Sequence, residues 1–123
     1  MIAGVGIDMI EVERVEANIN KGDFRGMIFS ETEISYCESK KNKFEHYAAR
    51  FAAKEAFFKA LGTGWLENTK FNEVEIINTE NGKPEVNLLG LTLETVNALG
   101  IKKILVSLSH IKTTASAVVI VEK

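Results

Sequence analysis

The sequence predicts an α+β fold in which an N-terminal strand and helices pack on a mainly antiparallel sheet. Three observations carry this expectation. Residues from about Phe44 to Leu61 form an alanine-rich stretch of high helix propensity. The C-terminal half alternates apolar and polar residues in short runs, with a hairpin signal at Asn81-Gly82 between two of them. Helical patterns gather early and strand patterns late, rather than alternating as in a parallel α/β sheet.

Taken in order, Ile2 to Asp8 reads as a strand, with Gly4 and Gly6 set among Val5 and Ile7. Two glycines weaken a strand, so they mark close backbone packing or the approach of a ligand. Asp8 stands at the expected strand-to-helix junction, and Ile10, Val12, Val15 and Ile19 continue as a helical stripe. Asp8 and Glu11 have the spacing of a capping box, and Gly22 closes that helix. Ser30 with Glu33 is a second capping box opening the next helix, and the polar run Ser39 to Lys43 is a bend. In the long helix that follows, Ala48, Ala49, Ala52, Ala53, Ala56 and Ala60 supply the propensity, and Gly62 suits the left-handed position past its end. Trp65 is expected to pack after that stop. Phe71 to Asn78 and Pro84 to Leu89 are expected strands around Asn81-Gly82, Leu91 to Leu99 a short helix ended by Gly100, and Ile104 to Ser109 and Ala115 to Val121 two more strands.

The 123 residues fit one domain spanning 1–123. With 46% hydrophobic and 26% charged residues, the composition is that of an ordinary soluble globular chain. A domain of this size leaves much surface exposed, which favours further burial by oligomerisation. A net charge of −2 argues against a globally basic nucleic-acid binder. No apolar run approaches the ~20 residues of a membrane helix. The single cysteine, Cys37, excludes an intrachain disulfide and reads as a packing residue; without a signal peptide this fits a reducing cytoplasm. No Walker lysine pattern, dinucleotide fingerprint or zinc-ligand cluster is present.

Three places could carry chemistry. Asp8 is either an N-cap or a hard oxygen ligand for a divalent cation. Glu55 and Lys59, spaced i, i+4, share a helix face beside the small residues Ala52 and Gly62. They form either a surface ion pair worth a few tenths of a kcal/mol, or a metal-binding carboxylate next to a phosphate-binding ammonium. His110 ends a strand on which Ser107 and Ser109, alternating with Leu108, share one face, and His46 reads as a surface residue.

Five segments in order give these residues a context: Gly6-Ile7-Asp8; Arg50-Phe51-Ala52-Ala53-Lys54-Glu55-Ala56 with Lys59; Ala60-Leu61-Gly62-Thr63-Gly64; Asn81-Gly82-Lys83-Pro84; and Ser107-Leu108-Ser109-His110. Together they resemble the holo-[acyl-carrier-protein] synthase family of phosphopantetheinyl transferases over nearly the whole chain. The resemblance implies that fold, and a reaction in which coenzyme A donates 4′-phosphopantetheine to a serine of apo acyl carrier protein and adenosine 3′,5′-bisphosphate leaves, in the service of fatty acid biosynthesis. It implies Mg2+ held by Asp8 and Glu55, with Lys59 on the coenzyme A phosphates. Arg50, the Gly62-Thr63-Gly64 loop, Pro84 and His110 are implied near the nucleotide, and the serine proton passes either to Glu55 or to a metal-bound water. It further implies a homotrimer with active sites between subunits. Arg14, Lys21 and Arg25 are the implied docking residues for the acidic carrier, although Glu11, Glu13 and Glu16 surround Arg14 and depart from the family's basic face.

Overall fold

The computed structural model describes residues 1–64 and 66–123, so Trp65 lies outside the described residues. The chain runs β1 (Ile2–Glu11), α1 (Val12–Asn18), α2 (Phe24–Ile28), α3 (Glu31–Glu38), α4 (Lys43–Leu61), β2 (Val74–Asn78), β3 (Pro84–Leu88), α5 (Gly90–Ala98), β4 (Lys103–His110) and β5 (Thr114–Glu122). The strands form two antiparallel ladders, β1-β5-β4 and the β2-β3 hairpin, rather than a single hydrogen-bonded sheet; β3 lies beside β4 without pairing to it.

Helix α4 is the centre of the fold. Its alanines give it a thin profile, and Ala48, Ala49, Ala52, Ala53, Ala56 and Ala60 are all buried. On one side it meets Phe57 and Phe58 neighbours Val74, Ile76, Val96, Val119 and Val121; toward its start Tyr47 joins Val12, Val15, Ile19, Phe29 and Cys37. The expected packing role of Cys37 is thus observed. Strand β1 lies directly on α4, and the reason is Gly4 and Gly6. A Cβ on Gly4 would overlap the carbonyl oxygen of Ala60, and one on Gly6 would overlap that of Ala56. The two glycines therefore serve close backbone packing, one of the alternatives their presence in a strand raises.

Several boundaries differ from expectation. Strand β1 continues through Asp8 to Glu11 because β5 supplies a ladder partner for each step, Asp8 opposite Ala117 and Glu11 opposite Thr114. Asp8 is consequently mid-strand and not an N-cap, and the Asp8/Glu11 capping box does not form; α1 begins at Val12 with no side-chain cap. Gly22 (φ 51°) lies in the turn after α1, which gives way to the short helix α2 that residue patterning does not reveal. The Ser30 box is present: Glu33 N–H donates to Ser30 Oγ (3.2 Å) and Ser30 N–H to Glu33 Oε1 (3.0 Å). Gly62 takes the left-handed conformation (φ 81°) that stops α4. Residues 71–73 coil into a 3-10 turn before β2, and the β2–β3 connection is a wider loop over 79–83 with Gly82 at φ 83°.

The contact between β1 and α4 predicts opposite outcomes for two glycines. Gly6→Ala, forced against helix backbone, is expected to lower the stability by about 3 kcal/mol, the upper part of the usual range for overpacking. Gly26→Ala, inside α2 with open space around it, should raise stability by ~0.5–1 kcal/mol. Urea unfolding at fixed protein concentration measures both, and equal shifts for the two variants would contradict this account.

Candidate active site

Because β1 is pressed onto α4, the even-numbered side of the strand meets the helix, and Asp8 arrives beside Glu55 and Lys59. Lys59 Nζ donates to Asp8 Oδ1 (2.8 Å) and to the Ile7 carbonyl (3.1 Å). The Asp8 side chain is 14% exposed, whereas that of Lys59 is 56% exposed. Glu55 is half-buried against Asp8. Its carboxyl is pushed up to about 7, first by burial, then by the negative charge of Asp8 and a hydrogen bond between the two groups, with Lys59 opposing. Lys59 is held above its ordinary value by the hydrogen bond and charge of Asp8. Two carboxylates sharing one ammonium leave a surplus negative charge when both are ionised. Their oxygens are the donors that could hold a hard divalent cation, which commonly takes one or two carboxylates and fills its remaining positions with water and phosphate oxygens. The loop Gly62–Gly64 leaves α4 just past Lys59, and so belongs to this end of the molecule.

Arg50, Pro84 and His110 gather elsewhere, in a cavity of about 420 Å³ that Tyr36, His46 and Asn78 also line. His110 Nδ1 is 2.9 Å from Glu45 Oε1, and its ring lies edge-on to His46 with centroids 5.1 Å apart. His46 is therefore a half-buried member of this cavity and not the surface residue expected; burial, then the neighbouring His110, lowers its pKa. Arg50 is 2% exposed. Its guanidinium carbon sits 4.1 Å from the Tyr36 ring centre, one Nη donates to Asn78 Oδ1 (2.6 Å), and Nε has no partner among the described residues. A buried cation with an unused donor suits an anion. Within one chain the two places are distinct: Arg50 and Glu55 stand five residues apart on α4, about 7.5 Å along its axis and about 140° around it.

Arg14 is exposed on α1 and lies 3.8 Å from Glu11, Lys21 is exposed in the following turn, and Arg25 is half-buried, bonded to Asn20 and 3.9 Å from Glu38. Sequence reasoning did not find the Lys54–Glu33 ion pair, whose side chains are both fully buried at an Nζ–Oε1 distance of 2.7 Å. Burial pulls Lys54 below the ordinary lysine range, against the opposing charge of Glu33. The only hint in the sequence is that Glu33 belongs to a capping box and Lys54 to an otherwise alanine-lined stretch. Tyr36, Glu45 and Asn78 likewise carry no local signal, since distant segments bring them together.

Residues 4–114 match the model of the 4′-phosphopantetheinyl transferase superfamily. The chain is 44% identical over 124 residues to a holo-[acyl-carrier-protein] synthase of Solibacter usitatus, covering 99% of each. It superposes with a TM-score of 0.92 at 31% identity on the crystal structure of the holo-[acyl-carrier-protein] synthase of Neisseria meningitidis, covering all of both chains. A holo-(acyl-carrier-protein) synthase of Bacillus anthracis, solved in complex with CoA (3′,5′-ADP), matches with a TM-score of 0.81 at 35% identity over 98% of this chain and 96% of its own. The fold and these relationships define a transferase, and the chain belongs to the 4′-phosphopantetheinyl transferase superfamily. Its enzymatic class within that superfamily is that of the holo-[acyl-carrier-protein] synthases.

The raised Glu55 carboxyl makes stability depend on pH in a defined direction. With its ordinary value near 4.5 in the unfolded chain and about 7 in the fold, the folded state binds more protons between those values. Stability from this group is then full below 4.5 and lost as pH rises toward 7. In buffer containing a chelator, Glu55→Gln should match the parent at pH 4.5 and become progressively more stable than it up to pH 7 and above. Urea midpoints across that range test this, and a constant difference between the two proteins would refute the assignment.

Proposed function

We propose that this enzyme transfers 4′-phosphopantetheine from coenzyme A to a serine of apo acyl carrier protein for fatty acid biosynthesis in the cytoplasm, with residues 1–123 as one catalytic domain. The observation that carries this is the meeting of Asp8, Glu55 and Lys59: two carboxylates with a surplus charge beside an exposed ammonium. In the reaction the serine Oγ forms a bond to the phosphorus that bears the pantetheine arm. The bond from that phosphorus to the bridging diphosphate oxygen breaks, the serine proton is released, and adenosine 3′,5′-bisphosphate departs.

The chain's own residues divide this work. Asp8 and Glu55 fit Mg2+ by donor type and charge, and the ion, when bound, neutralises the diphosphate and stabilises the leaving group. Lys59, on a long exposed stem anchored near Ile7 and Asp8, brings a further cation to phosphate oxygens. The Gly62-Thr63-Gly64 loop follows it in the chain, where the two glycines, which carry no side chain, leave room for the substrate. Arg50, with its unused donor, and His110 and Pro84 around it form a receptor for the phosphate-rich nucleotide end. The CoA held by the Bacillus anthracis relative supports this donor.

We further propose a homotrimer with active sites between subunits. Arg50 and Glu55, about 7.5 Å apart along α4 and about 140° apart around it, face different sides of the helix, which fits a site in which one copy supplies the carboxylate pair and its neighbour the anion receptor. The face of the β1-β5-β4 sheet turned away from α4 supplies a contact surface. There Val5 (63% exposed) and Ile7 (65%) lie in register with Ile120 and Val118, and Leu105 continues the row. An apolar patch spanning three strands marks an interface. Arg14 on α1, Lys21 in the following turn and Arg25 on α2 are the proposed carrier contacts, of which Arg14 and Lys21 are exposed.

Purified protein mixed with coenzyme A, magnesium and apo carrier should add one phosphopantetheine to the carrier mass. Asp8→Ala and Glu55→Ala should each abolish that addition while eluting at parental size; unchanged carrier mass with the parent protein would sink the reading. Arg14→Glu is expected to raise KM for the carrier several-fold and leave KM for coenzyme A unchanged. Equal effects on the two substrates would remove Arg14 from the docking surface.

A further inference from the structure

Immediately before Glu55 in the chain stands a buried charge that the proposed chemistry does not use. The Lys54 ammonium donates to Glu33 Oε1 (2.7 Å), the Phe71 carbonyl (2.8 Å) and the Val74 carbonyl (2.6 Å), so all its donors are engaged. Glu33 in turn accepts from Ser30 N–H at Oε1 and from Ile76 N–H (3.0 Å) at Oε2. One ion pair thus ties α4 to α3, to the 71–73 turn and to β2. A fully buried pair of this kind contributes little net stability compared with apolar residues of the same volume, and what it supplies instead is a defined geometry.

That geometry bears on the active site. Lys54 and Ala56, two residues apart, point to nearly opposite sides of α4, about 160° apart by the helical repeat. The Lys54 side is fixed to α3 and β2, and the Ala56 side is fixed to Gly6 of β1. Glu55 projects between these two grips. At the outer radius of a helix a rotation of about 20° moves a side chain by roughly 2 Å, and displacements of ~1 Å can cost 10²-fold in rate. We propose that Lys54, through its buried pair with Glu33, is a positioning residue that sets the rotation of α4 and thereby holds Glu55 against Asp8. This rests on Asp8 and Glu55 being the working carboxylate pair.

The test replaces the pair by neutral groups of similar shape, Lys54→Met with Glu33→Gln, and measures Mn2+ binding to the free protein by electron paramagnetic resonance alongside melting and kinetics. The expected result is a folded protein of parental size that binds Mn2+ at least ~10-fold more weakly, the scale seen when groups supporting metal ligands are removed. Its kcat should fall by at least a similar factor with KM for coenzyme A unchanged. Parental Mn2+ affinity and kcat in the folded double variant, or a loss confined to melting temperature, would overturn the proposal. If the double variant does not fold, Glu33→Gln alone, which sets an amide NH2 against Ile76 N–H or Lys54, must weaken Mn2+ binding in the folded protein, and unchanged affinity there overturns it equally. Asp8→Ala serves as the reference: Mn2+ affinity equal to the parent's in that variant is a failure of the carboxylate-pair reading itself, and the positioning proposal falls with it.

Discussion

The approach of strand β1 to helix α4 is the constraint on which the rest of the molecule depends. Two backbones pack without side chains between them because Gly4 and Gly6 face Ala60 and Ala56. A strand on the same sheet with a Cβ at either position would stand off from the helix, since interiors are packed too densely to absorb an added methyl against backbone. The glycines thus have a consequence beyond packing. They bring the next residue on the same strand face, Asp8, within reach of Lys59 and Glu55, the helix residues that immediately precede Ala60 and Ala56.

The same helix organises both ends of the proposed chemistry. Its C-terminal half carries the carboxylate and ammonium of one cluster. Its N-terminal half carries Glu45, His46 and Arg50, which line or support the anion-receptive cavity. A single rigid rod therefore sets the spacing between them, and the buried ties to β2 and α3 limit its freedom to turn. Binding sites built on such elements keep their geometry better than sites on loops.

What could be read from the sequence followed how local the cause was. The Ser30–Glu33 cap, the alanine-rich helix and its Gly62 stop depend on residues within a turn of one another, and they stand where patterning puts them. The end of β1 does not: Asp8 and Glu11 have capping spacing, yet the ladder offered by β5, more than a hundred residues later in the chain, extends the strand through them. Patterning could equally not reveal that α2 forms, or that His46 turns inward to His110, because Tyr36 and β4 decide that from a distance. For the site, Glu55 and Lys59 share a helix face by spacing alone. Asp8 joins them through tertiary contact, and only the ordered resemblance of motifs suggested it beforehand. Lys54 and Glu33 lay hidden for the same reason, since a buried ion pair between separated helices leaves no periodic trace.

Asp8 and Lys59 differ in one respect with mechanical meaning. Asp8 rides on a backbone laddered to β5, and its short side chain is mostly covered. Lys59 reaches it by a long stem that is more than half exposed to solvent. The pair therefore consists of a fixed post and a swinging arm. In the proposed reaction, adjustment to substrates of different bulk or charge would fall on the lysine rotamers, while the post keeps the reference frame from one turnover to the next.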